Sequence, residues 1–204
     1  MACLKLSILA SRGGSNMQAI IDRIGEGRLD ARVVLVISNN PGSGAVERAR
    51  KAGLPCQVLN SKTYPDPDLR DVAMLNALVD AGTELMCLAG YMKRIGPRTL
   101  AAFKGRMINI HPSLLPHYGG AGMYGIRPHE AVLAAGETET GVTVHVVTER
   151  YDEGPILGQR RVRVEPGDSP QSLQKRVLAV EHQLYSDTIA EIIAEKHPLP
   201  IPTD

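Results

Sequence analysis

The feature that most constrains this chain is an alternation of short apolar runs with stretches of helical spacing, repeated from Leu4 to Ile110. Leu4–Leu9 reads as a strand. After Ser-Arg-Gly-Gly-Ser-Asn, residues Met17, Ile20, Ile21 and Ile24 recur at i, i+3, i+4 and i+7, which is one face of a helix. Val33–Ile37 repeats the pattern, and Asn39-Asn40-Pro41-Gly42 turns into a helix carrying Ala45, Val46, Ala49 and Ala52. Cys56–Leu59 is a third strand; Pro65-Asp66-Pro67-Asp68 then breaks the chain and caps a helix running to about Ala81. Glu84–Leu88 is a fourth strand, Pro97 opens a short helix (Arg98–Phe103), and Met107–Ile110 is a fifth strand. Strands and helices at this spacing predict an α/β fold: a Rossmann-like, mostly parallel twisted sheet with helices on both faces. Right-handed crossovers then gather the functional strand ends on one edge.

After Pro116 the texture changes. His117–Pro128 is rich in glycine and too long for a plain connector, so it reads as a mobile lid or binding loop. A helix is expected over His129–Ala135, an alternating strand over Val142–Val147 and another strand over Ile156–Val164. Ser169 and Pro170 suit the N-cap and first position of a long final helix buried through Leu173, Val177, Val180 and Leu184. No repeat or linker divides the sequence. The expectation is one domain over residues 1–196, followed by a Pro-rich tail, 197–204.

Composition removes several function classes. A chain of 204 residues supports one sizeable core, and a net charge of +1 gives no general attraction to nucleic acid or membrane. No apolar run approaches the roughly 20 residues that span a bilayer. Cys3, Cys56 and Cys87 form no CxxC pair, and the His residues form no HxH or HxxxH group, so neither disulfide nor metal site is expected. With no Trp and one Phe, stacking surfaces for single-stranded nucleic acid are missing. The opening MACLKLSILA reads as a first strand rather than a leader, which predicts a cytoplasmic protein.

The richest chemistry lies in MINIHPSLLP. Pro112 stops the fifth strand, so Asn109 and His111, two residues apart and on one face, are delivered at the sheet edge. A carboxamide and an imidazole there can stabilise an oxyanion and move a proton. A lone strand-end His is more often structural, but the neighbouring Asn and the Pro stop favour chemistry. Asp152, in Tyr151-Asp152-Glu153-Gly154-Pro155, is the group expected to hold His111 as the imidazolium, although Asp before Gly-Pro also suits a plain turn. Gly13-Gly14-Ser15-Asn16 opens the first helix and can cradle a phosphate monoester; the GxGxxG spacing of dinucleotide sites is missing, and an ordinary Ser/Asn cap is the alternative. His145 and Thr143 share a face of one strand and read as packed core. His117 and His129 have no assigned partner, Glu181-His182 lies mid-helix, and the basic pair in Met92-Lys93-Arg94-Ile95 meets either an acidic ligand or water.

GGSNMQAI, LAGYM, NIHPSLLP, GVTVHVV, YDEGPI and AVEH occur in this order between Leu4 and Tyr185. In them the chain resembles the folate-dependent phosphoribosylglycinamide formyltransferases of purine biosynthesis. NIHPSLLP with a downstream Asp-x-Gly-Pro is shared by enzymes that use 10-formyl-tetrahydrofolate, and the Gly-Ser-Asn loop narrows the likeness to the glycinamide ribonucleotide branch. The resemblance implies that Asn109, His111 and Asp152 are catalytic. It implies that Gly14, Ser15 and Asn16 hold the substrate phosphate and Glu181 the ribose. It also implies that Met92, Lys93, Arg94, Ile95 and Asn109, with Glu149, Arg150 and Tyr151, contact the folate. The resemblance further implies 10-formyl-tetrahydrofolate as cosubstrate, no metal, and a monomer or homodimer. Pro67 stands where the family often has a basic residue, with Lys62 the nearby cation, and the HYGGAGMYGIRPHEAV loop is longer than the shorter family pattern.

Rival readings are a deformylase, a methionyl-tRNA formyltransferase or a non-catalytic phosphometabolite-binding module. The expected lack of a regulatory or RNA-binding domain argues against the first two, and an Asp152–His111 contact would argue against the third.

Overall fold

The computed structural model describes residues 3–203. The chain forms two compact units, Met1–Ile108 and Asn109–Asp204. The first unit holds β1 (Leu4–Leu9), α1 (Ser15–Gly25), β2 (Ala31–Ser38), α2 (Gly44–Lys51), β3 (Cys56–Val58), α3 (Pro67–Asp80), β4 (Leu85–Leu88) and α4 (Pro97–Ala102), with β5 (Met107–His111) beginning at its end.

Its strand order is β3-β2-β1-β4, with every pair parallel. The chain therefore steps outward through β2 and β3 and returns across β1 to place β4. Right-handed crossovers put α1 and α2 on one face and α3 on the other. The helix contacts agree: α1 packs on α2, and α3 on α4. Leu6, Ile8, Leu9, Val36, Ile37, Leu85, Met86 and Cys87 are buried, as strands covered on both faces require. The order reverses between β1 and β4, the switch point beyond whose carboxyl ends open α/β sheets bind ligands.

Local signals behave as the sequence predicts. Asp66 caps α3 by accepting the Asp68 N–H, with Pro67 in the first turn. Buried Asp71 receives the Arg98 and Thr99 N–H groups, satisfying the start of α4.

The second unit holds α5 (Arg127–Ala134), β6 (Glu139–Val146), β7 (Ile156–Arg163) and α6 (Pro170–Ile193); its strands run in the order β5-β6-β7, β6 and β7 antiparallel. β6 starts before the alternating pattern at Val142, because Glu139 pairs with Arg163 in the ladder and its carboxylate bonds Arg161. α5 starts before His129 because Pro128 fits the first turn, where no N–H is needed. A capping box from Ser169 and Ser172 opens α6, which packs on β6, β7 and α5. The tail is anchored at its end by buried Ile201.

Candidate active site

The carboxyl ends of β1 and β4 carry the first set of candidates. Gly14 caps α1 with φ +71, and a Cβ there would come within 2.9 Å of the Ala45 Cα. Only glycine fits this close approach in the left-handed region. Arg48 fixes the loop by donating to the Gly13 carbonyl at 2.9 Å, while the Ala45 N–H donates to the Arg12 carbonyl at 3.0 Å. No side chain caps α1, so the ordinary Ser/Asn cap is not what this sequence builds. The helix start presents the positive end of its dipole, with Ser15 half-buried and Asn16 buried beside it. Met92–Ile95 follows β4: the Met92 N–H donates to the Ser11 hydroxyl, Ile95 is buried, and Lys93 and Arg94 are exposed.

The second unit holds the side-chain chemistry. Asn109 and His111 end β5, and Asp152 lies in the turn before β7 with φ +58, a left-handed conformation held only when surroundings impose it. Its surroundings do impose it. Asp152 Oδ2 accepts the Gly120 N–H at 2.9 Å and lies 3.5 Å from His111 Nδ1, while Oδ1 lies 3.4 Å from His145 Nε2. His111 Nε2–H donates to the Tyr118 carbonyl at 2.9 Å. The predicted contact between Asp152 and His111 is present, and part of the long glycine-rich loop closes around it.

His145 is the residue that sequence reasoning missed. Expected as packed core, it instead joins the candidates. Its Nδ1–H donates to the Val146 carbonyl at 2.9 Å, leaving Nε2 to accept the Asn109 amide at 3.1 Å. Its position in GVTVHVV gave one usable signal, an imidazole on a strand that otherwise reads apolar.

Electrostatics correct one expectation. Burial drives the His111 pKa below its ordinary value; the Asp152 charge and the Tyr118 carbonyl oppose it, and His145 adds to the lowering. His111 is thus neutral at physiological pH, not a standing imidazolium, because desolvation of a nearly fully buried ring outweighs one carboxylate. For Asp152, burial pushes the pKa up, but His145, His111 and the Gly120 N–H outweigh it, so the carboxylate stays charged. The two partners shift the same way: the acid is held charged and the base neutral. His129, fully buried in α5 with no hydrogen-bond partner at either ring nitrogen, is pushed down to about 4 by burial and by the nearby His111.

Other candidates have plainer surroundings. Glu181 is buried on α6, while Glu149, Arg150 and Tyr151 are exposed, Thr148 turning back to the Arg150 backbone. Lys62 lies in a turn organised by Asn60. Thr143 is structural: its hydroxyl donates to the Ser113 carbonyl and accepts the Leu115 N–H and the Gln159 amide, pinning the segment after His111.

Residues 4–189 match the family model described as formyl transferase. The chain is 41% identical over 193 residues to the chloroplastic phosphoribosylglycinamide formyltransferase of Arabidopsis thaliana, covering 94% of this chain and 66% of the relative. It is 39% identical to the trifunctional purine biosynthetic protein adenosine-3 of Bos taurus, covering 91% of this chain and 18% of that one. It thus spans less than two thirds of these relatives' lengths. A solved glycinamide ribonucleotide transformylase 1 from Symbiobacterium toebii superposes with a TM-score of 0.88 at 39% identity, covering 96% of this chain and 90% of that one. A phosphoribosylglycinamide formyltransferase from Bacillus halodurans gives 0.88 at 36% identity, covering 97% and 100%. The α/β architecture, the NIHPSLLP strand end and these matches agree: the chain belongs to the formyl transferase family.

Proposed function

We propose that this protein transfers the formyl group of 10-formyl-tetrahydrofolate to the amino group of glycinamide ribonucleotide, giving the formylated ribonucleotide and tetrahydrofolate in purine biosynthesis. The observation that carries the reading is the cluster in which Asp152 touches both His111 and His145 while His145 holds Asn109. A binding module has no need of a charged acid beside two histidines. Gly14, Ser15 and Asn16 take the phosphate, Glu181 the ribose, and Met92–Ile95 with Glu149–Tyr151 the pterin. We treat residues 1–196 as the working domain, cytoplasmic, acting as monomer or homodimer and without a metal.

The amine attacks the formyl carbon, and a carbon–nitrogen bond forms as the carbonyl becomes an oxyanion. The Asn109 amide, aligned by His145, donates to that oxygen; losing one such donor costs about 3 kcal/mol of barrier. Neutral His111 suits the opening of this step, since it can take up a proton as charge develops beside it. The charged Asp152 stabilises the imidazolium then formed. The tetrahedral intermediate collapses by breaking the bond to the folate nitrogen, which receives the proton lost by the amine. The formyl group arrives activated, so the balance needs no nucleotide.

The test is an absorbance assay for tetrahydrofolate formation with and without glycinamide ribonucleotide. Product only when the ribonucleotide is present supports the transfer; product without it indicates a hydrolase, and none in either mixture removes the reading.

A further inference from the structure

Ser11 is 4% exposed and stands where β1 ends. Its hydroxyl accepts the Met92 N–H at 2.7 Å, and because that N–H can only donate, the hydroxyl hydrogen goes to Asn39 Oδ1 at 2.5 Å. Its backbone N–H donates to the Gly90 carbonyl at 3.1 Å. One small side chain therefore ties the segments that follow β1, β2 and β4 at the switch point of the first unit. Ser7 gives the contrast on the same strand. It is fully buried and its hydroxyl pairs with Thr83 at 2.7 Å, a bond of the same kind that touches no candidate site residue.

We infer that Ser11 is a positioning residue: its hydroxyl sets Met92–Ile95 in register with the Gly13–Asn16 loop, so that the folate-contacting segment is preformed before ligand arrives. The inference rests on the reading of Met92–Ile95 as the folate contact. It goes beyond that reading by assigning the segment's geometry to a residue that touches neither substrate.

In Ser11→Ala, the KM for 10-formyl-tetrahydrofolate rises about fivefold, the effect of one neutral hydrogen bond, while kcat and the KM for glycinamide ribonucleotide change less than about twofold. The Met92 amide also exchanges with deuterium faster, measured without any substrate. Ser7→Ala lowers Tm and leaves both KM values alone. An unchanged folate KM in Ser11→Ala, an unchanged Met92 exchange rate, or an equal KM shift in Ser7→Ala overturns the inference. If the unmodified chain transfers no formyl group, the function reading is what fails, and Met92 exchange still decides whether Ser11 orders the segment.

Discussion

The loop at α1 and the cluster around Asp152 solve different problems with different materials. The first is made of backbone. Gly14 lies against Ala45, Arg48 grips the Gly13 carbonyl, and the helix start is left uncapped. The second is made of side chains from separate segments, Asn109 and His111 on β5, His145 on β6 and Asp152 in a turn, with Tyr118 and Gly120 closing over them through backbone groups. A backbone site is fixed by sterics and changes little with pH. A side-chain cluster is fixed by hydrogen bonds and carries its chemistry in groups whose protonation burial has shifted.

That contrast can be broken at the cluster first. His111→Ala should lower kcat by about a thousandfold or more, since it removes the proposed proton carrier, with a smaller change in the KM for the ribonucleotide. Steady-state rates decide, and near-full turnover would place the chemistry elsewhere. Gly14→Ala should do the reverse. A Cβ at φ +71 facing Ala45 strains the loop by about 1–3 kcal/mol, so the KM for the ribonucleotide rises about tenfold or more while kcat falls less.

A finer test lies inside the cluster. His145→Ala frees the Asn109 amide and removes one neighbour of Asp152, so kcat should fall by about tenfold, with the acid limb of the pH–rate profile moved to higher pH. An unchanged profile would return His145 to the core role. The last effect is on stability and leaves turnover aside. His129 falls from its ordinary 6.5 to about 4 on folding. Between those values the unfolded chain binds more protons, so stability rises with pH across that window, by at most about 3 kcal/mol. Tm measured from pH 4 to 7 should climb, and His129→Leu should flatten the climb; an equal slope in the variant would assign it to other groups.

The sequence made the scaffold legible because strands and caps are local. Apolar runs of strand length, Asp66-Pro67 and Ser169-Pro170 state their structure within a few residues. Gly14 was legible for the same reason, as one of a glycine pair opening a helix, whereas the missing side-chain cap was not. His145 was not, because an imidazole on an apolar strand looks the same whether it fills space or bridges Asp152 and Asn109, the latter 36 positions away from it along the chain. Nor could the sequence foresee that His111 is held neutral, since opposite charge is visible in residue types while burial is not.

By itself, then, the sequence determined the order of elements, the glycine loop and the residues with chemical capacity, all of which follow from short-range sterics and periodicity. Tertiary structure decided which of those residues meet, which carry charge and which are fixed by a third partner. Those outcomes depend on packing across long separations in sequence, where desolvation and Coulomb attraction compete and only the actual depth and distance settle the balance.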